Sequence, residues 1–172
     1  GMAWNPQASK AVEGGLPQDK LQLLQDAVIK QCDKLDGVED GLLEDPRQCD
    51  FDPGKIQCKK DGDADCLSAA QVGAIRKIYA GPKSKAGKQL FPGFPRGGEG
   101  VQWDQWITGN ASKHEFFPTE YFRNIVFEKP EWQFSDLDLE RDAAIGKKKV
   151  GAILDANNPD IAPFKKRGGK LL

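Results

Sequence analysis

The stretch whose reading decides the fold runs Cys32-Asp33-Lys34-Leu35-Asp36-Gly37-Val38-Glu39-Asp40-Gly41-Leu42-Leu43-Glu44-Asp45-Pro46-Arg47-Gln48-Cys49. Asp33, Asp36 and Asp40 are spaced by three and four residues, and the last two are each followed by glycine. Hard cations such as calcium take about six to eight oxygens, so a loop that binds one supplies carboxylates and turns its carbonyls inward. Glycine allows the reversals this needs. The pattern is not an EF-hand, because Leu35, Gly37 and Val38 stand where side-chain ligands and the invariant glycine belong. An alternative set combines the carboxylates of Asp33, Asp36 and Asp40 with carbonyls such as those of Val38 and Leu42. The apolar side chains of those two residues would then point into the core. Calcium is favoured over magnesium, which holds more water and demands stricter geometry. The competing reading is an acidic turn whose aspartates cap local N–H groups.

The bracketing cysteines belong to a set of four, Cys32, Cys49, Cys58 and Cys66. Their spacing does not match paired zinc knuckles. Three disulfide pairings are possible. Two local bridges, Cys32 with Cys49 and Cys58 with Cys66, are the reading taken, which implies an oxidising compartment. Four reduced thiols or a zinc site are the alternatives.

Upstream, positions 18–31 carry Leu21, Leu24 and Val28 at helical spacing, so a helix leads into Cys32. Downstream, Asp61 to Asp65 reads as an exposed turn, with a weak second metal site as the lesser option. Ser68-Ala-Ala-Gln71 is a capping box opening a helix that Gly81-Pro82 stops. Positions 82–118 show Gly, Pro and aromatic residues without periodicity and predict a long ordered loop. Short helices are expected over 120–127 and 160–167, and a longer one over 137–154 that Gly146 and Gly151 could break. Lys170-Leu171-Leu172 resembles the opening of a strand.

Composition narrows the function. The 172 residues suit one domain, with 19 Gly and 11 Pro making it loop-rich. Its 25 Lys and Arg balance 26 Asp and Glu, so no global basic field invites nucleic acid. No apolar run approaches the roughly 20 residues of a membrane span. Lys147-Lys148-Lys149 reads as a solvated face. Gly1-Met2 looks like a tag remnant, and no signal peptide is seen. Asn110-Ala-Ser112 fits a glycosylation acceptor, relevant only in a eukaryotic secretory setting.

Catalytic chemistry is missing. Ser9, Ser68, Ser84, Ser112 and Ser135 all lack the G-x-S-x-G setting of a nucleophile elbow. His114, the one histidine, is expected at the surface. Trp103 and Trp106, with Phe91, Phe94, Phe116 and Phe117, read as a small core beneath loops or as a wall for an aromatic ligand.

Taken together, the run from Cys32 to Gly41, Asp45-Pro-Arg, Cys49-Asp-Phe-Asp-Pro53, Cys58, Cys66-Leu-Ser, Gln71-Val, Tyr79-Ala-Gly-Pro82 and Phe164-Lys-Lys-Arg-Gly-Gly-Lys-Leu-Leu172 resemble the tannase and feruloyl esterase family of serine ester hydrolases. The resemblance covers the chain from about Leu16, in order. It implies a lid inserted in an α/β-hydrolase catalytic domain, with the nucleophilic serine upstream and the acid and base downstream. It also implies calcium on Asp33, Asp36 and Asp40 with the carbonyls of Val38 and Leu42, and the same two disulfides. Trp103 becomes a candidate substrate-facing wall, with Arg96 and Glu99 as weaker candidates.

The expected architecture is therefore mainly α and loop-rich, with short helices around a calcium loop and two disulfides. Residues 1–15 are a tag remnant and lead-in, 16–167 the lid, and 168–172 the start of a strand returning to the catalytic domain. The expected partners are that domain and, through it, an aromatic ester, with neither nucleic acid nor membrane; the parent would be secreted or periplasmic. The rival is a stand-alone calcium-dependent binding module without esterase activity.

Overall fold

Helices form where apolar side chains recur at helical spacing, and the disulfides tie down what lies between them. The computed structural model describes residues 2–171 apart from 11, 14, 61, 62 and 109–112. Six α-helices are seen among the described residues: α1 Trp4–Ser9, α2 Gln18–Cys32, α3 Ala69–Ala80, α4 Lys113–Glu120, α5 Leu139–Leu154 and α6 Ala162–Lys166. No strand occurs among them, and the only bridges are isolated ones at Gln57–Leu67 and Lys83–Gln89. The mainly helical, loop-rich class is as expected.

In α2 the spacing of Leu21, Leu24 and Val28 puts all three on one fully buried face. Opposite it, α3 begins as a complete capping box: Ser68 Oγ accepts from the Gln71 N–H, and the Gln71 carbonyl oxygen accepts from the Ser68 N–H. Val72, Ile75 and Ile78 of α3 close the main core with Phe51, Leu67 and Trp103. The segment read as a lead-in belongs to this core as well. Ala8 and Val12 are buried in it, and the Trp4 indole N–H donates to the Lys77 carbonyl of α3 at 2.9 Å.

Both local disulfides are present, Cys32–Cys49 and Cys58–Cys66, with no free cysteine among the described residues. This excludes the reduced and zinc-bound alternatives. Beside the second bridge the Lys20 ammonium donates to the carbonyls of Ala64 and Cys66, tying α2 to that turn. Asp63 and Asp65 are exposed there, as expected, whereas positions 61 and 62 lie outside the described residues.

The expected long loop over 82–118 is only partly a loop. Wide π-type turns occupy Asp104–Thr108, and α4 follows. At Glu120 α4 passes directly into a second π segment, Tyr121–Val126, where the Phe127 N–H donates five residues back to Phe122. Pro118 inside α4 lacks an N–H and crowds the preceding turn, which favours the wider winding that follows. Phe122 and Val126 from this segment pack with Ala3, Trp132 and Leu137 in a second, smaller core.

α5 runs unbroken through both glycines. Gly146 faces Tyr121 so closely that a Cβ would stand 2.8 Å from its hydroxyl, so this glycine permits close packing and does not break the helix. α6 ends at Gly168, whose φ of 81° is in the left-handed region. Lys170 and Leu171 adopt no regular structure, and Leu172 lies outside the described residues. Asn110-Ala-Ser112 lies outside them too.

Candidate functional site

The acidic loop starts where α2 ends. Asp33–Asp36 forms a short 3-10 turn, and Cys32–Cys49 closes the loop with its Cα atoms 5.5 Å apart. Each aspartate accepts backbone N–H groups: Asp33 from Gly41 at 3.0 Å, Asp36 from Val38 at 2.9 Å and Glu44 at 3.3 Å, and Asp40 from Leu42 at 3.0 Å. The carboxylates therefore brace the loop internally. Among the described residues no three His, Cys, Asp or Glu side chains lie close enough together to hold one ion. The donors suit a hard cation in kind, being carboxylates and carbonyls on one short loop.

The side chains of Val38 and Leu42 do not enter the core as expected. They are 56% and 67% exposed, because the loop stands out from α2 with only Leu43 of its apolar residues packed on the main core.

The three residues proposed as substrate contacts form one connected structure beside this loop. Trp103 is 5% exposed, edge-on to Tyr79 and Phe94 with centroids 6.2 and 6.0 Å away. It is a core residue, and its ring offers no open face. Glu99 is 0% exposed and accepts from the Tyr79 hydroxyl at 2.5 Å and from the Gly97 N–H at 3.0 Å. Arg96 lies over the Tyr79 ring at 4.5 Å and donates through Nε to the Phe51 carbonyl at 2.8 Å. Burial pushes the Tyr79 phenol up, and the negative charge of Glu99 adds to this. Burial also raises Glu99, against the hydrogen bonds and the Arg96 charge that favour its ionised form. This knot fixes the Gly-rich segment against the acidic loop: Gly97, at φ 99°, sits so near Leu43 that a Cβ would meet it at 2.9 Å. No sequence signal pairs Tyr79 with Glu99, since twenty residues of irregular chain separate them.

His114 is buried at 5% exposure, contrary to the surface position expected. The Asn5 side-chain amide of α1 donates to its Nδ1 at 3.2 Å, and Phe94 and Trp106 pack around the ring. The polar neighbours of His114 in sequence hid this, because a partner 109 residues away buries it. Burial lowers its pKa. Ser9 donates to the Asn5 carbonyl, while Ser68 and Ser84 accept from backbone N–H groups, so none of the three is aligned with the imidazole as a nucleophile.

The aromatic cluster divides between core and surface. Phe94 and Trp103 lie inside. Phe116 and Phe117 are exposed, with Phe117 stacked on Trp106 at 6.3 Å and the Lys113 ammonium 4.1 Å from the Trp106 ring centre.

The sequence model of a family described as tannase and feruloyl esterase matches residues 2–172. The chain belongs to the tannase and feruloyl esterase family. Among members of this family it is 32% identical over 168 residues to an uncharacterized esterase of Xanthomonas campestris, covering 89% of this chain and 29% of that protein. A probable feruloyl esterase B-2 of Aspergillus flavus is 34% identical over 155 residues, covering 87% and 28%. The crystal structure of feruloyl esterase B from Aspergillus oryzae superposes with a TM-score of 0.80 at 24% identity, over 98% of this chain and 34% of that one. An esterase structure from the same organism superposes with a TM-score of 0.79 at 28% identity, again over 98% and 34%. This tannase and feruloyl esterase family chain thus spans less than a third of the length of the curated relatives described here.

Proposed function

We propose that this chain is the lid domain of a tannase- or feruloyl-esterase-like serine carboxylic ester hydrolase acting on aromatic-acid esters. The observation that carries the reading is a family match along residues 2–172 in a chain that spans about a third or less of its relatives. In the parent, an activated serine would attack the ester carbonyl and expel the alcohol, leaving an acyl-enzyme that water then hydrolyses. The serine, aspartate and histidine of that chemistry have no matching positions here. This domain would cover the site, exclude water and supply part of the pocket wall. Because Trp103 and Glu99 are enclosed, the exposed Phe116 and Phe117 are the better-placed aromatic wall.

The reading includes calcium on the loop, held by Asp33, Asp36 and Asp40 with the carbonyls of Val38 and Leu42. Its role would be to brace the lid, since no nucleophile stands beside the loop. The parent would be secreted or periplasmic, in keeping with two disulfides. The described helices include none long and apolar enough to cross a membrane.

Two experiments test the reading. The purified 172-residue chain should not turn over feruloyl or galloyl esters, whereas the longer polypeptide should; turnover by the chain alone overturns the lid assignment. Calorimetric melting should show a midpoint that rises with calcium and falls with chelator, because an ion at 100 times its Kd adds about 2.7 kcal/mol to the folded state. An unchanged midpoint at saturating calcium removes the metal from the proposal.

A further inference from the structure

Beyond Gly151 the chain leaves both cores. Residues 152–168 are exposed without interruption, although Ile153, Leu154, Ile161 and Phe164 lie among them. Ile153 is 82% exposed, and no residue of this stretch joins either apolar cluster. The recorded hydrogen bonds of 156–171 stay within the segment, such as Gly169 N–H to the Phe164 carbonyl at 3.1 Å. It nevertheless holds a defined shape: α6 forms, and Gly169 lies flat against the Phe164 ring. An isolated five-residue helix has too few hydrogen bonds to offset its nucleation cost in water. Something outside the described surface must cover it.

We propose that residues 152–171 are a docking arm that seats on the remainder of the longer esterase polypeptide. This deepens the lid reading and rests on it. The occupant follows from the superpositions, in which 98% of this chain is reproduced inside chains of which it makes up only 34%. About two thirds of such a chain is therefore available as a surface against which the arm can pack. Charge specifies that surface further. Lys165, Lys166, Arg167 and Lys170 surround Phe164, with Asp160 the nearest acid in sequence. The receiving face is an apolar groove for Ile161 and Phe164 with carboxylates at its rim.

Amide hydrogen exchange on the 172-residue chain and on the full-length parent tests this. Amides of α6 and of 167–169 should exchange at least about 100-fold more slowly in the parent, while α3 keeps its rates in both. The substitutions Ile161→Ser and Phe164→Ala in the parent should abolish that arm protection. Because both side chains are exposed in the isolated chain, its own melting should not move. Equal arm exchange in chain and parent overturns the docking arm. Protection already present in the 172-residue chain overturns it too, in favour of a second copy if light scattering reports a dimer. Labelling of the parent by a serine-directed fluorophosphonate reads the hydrolase assignment separately. A labelled parent with an unprotected arm sinks the docking arm alone, and an unlabelled parent with a protected arm sinks the esterase reading alone.

Discussion

The Tyr79 hydroxyl donates to Glu99 Oε1 at 2.5 Å, and the carboxylate it meets has no exposed surface. Burial holds the Glu99 carboxyl above its ordinary value of 4.5. Between that value and the higher folded one, the folded state retains a proton that the unfolded chain has released. Stability should therefore fall as pH rises through this window. The difference in melting temperature between the wild type and Glu99→Gln should narrow from about pH 4 to about pH 8, because the neutral amide does not titrate. A pH-independent difference would show that Glu99 is not held up by its surroundings.

His114 should act in the opposite direction. Its folded pKa lies below the ordinary 6.5, so the unfolded chain takes up the proton first as pH falls. Protonation would also set two donors against each other at the Asn5 contact. Stability attributable to His114 should be intact above about pH 7 and decline below about 6.5. Urea titrations at several pH values should show this slope in the wild type and lose it in His114→Gln.

Trp103→Ala should cost about 3–5 kcal/mol, as expected for removal of a large core aromatic. Denaturant midpoints of the 172-residue chain measure it directly. If Trp103 were a solvent-facing ligand wall, the loss would stay within about 0.5 kcal/mol.

The two disulfides should open in a fixed order. Cys32 and Cys49 are buried, whereas Cys58 and Cys66 are only half-buried in a surface turn. A thiolate must reach a sulfur to exchange with it. Limited reduction followed by alkylation and peptide mapping should find Cys58 and Cys66 modified first. Replacing Cys32 and Cys49 by alanine should cost about 3 kcal/mol, given a loop spanning 17 residues.

What was legible in the sequence was mostly local. The α2 stripe, the Ser68 and Gln71 cap and both disulfide pairings depend on residues close together in the chain, and all are present. The misreadings involved distant partners. His114 is buried by Asn5 from the opposite end, Trp103 by Tyr79 and Phe94, and the lead-in by α3. Gly146 was read as a break because its neighbour across the helix pair, Tyr121, cannot be inferred from the residues around it. The helical turns of 104–126 escaped because π winding and an internal proline do not produce a 3.6-residue pattern.

The winding of Tyr121–Val126 also bears on how this chain can change in length. A π segment holds one residue more than the α-helix it interrupts, so the helix from 113 to 126 carries a spare position. Removing one residue there would restore ordinary winding and turn everything beyond it by about 100°. Phe122 and Val126 could not both remain in the second core after that rotation. The added residue sets which side of the helix faces inward, so this stretch should accept substitution more readily than deletion.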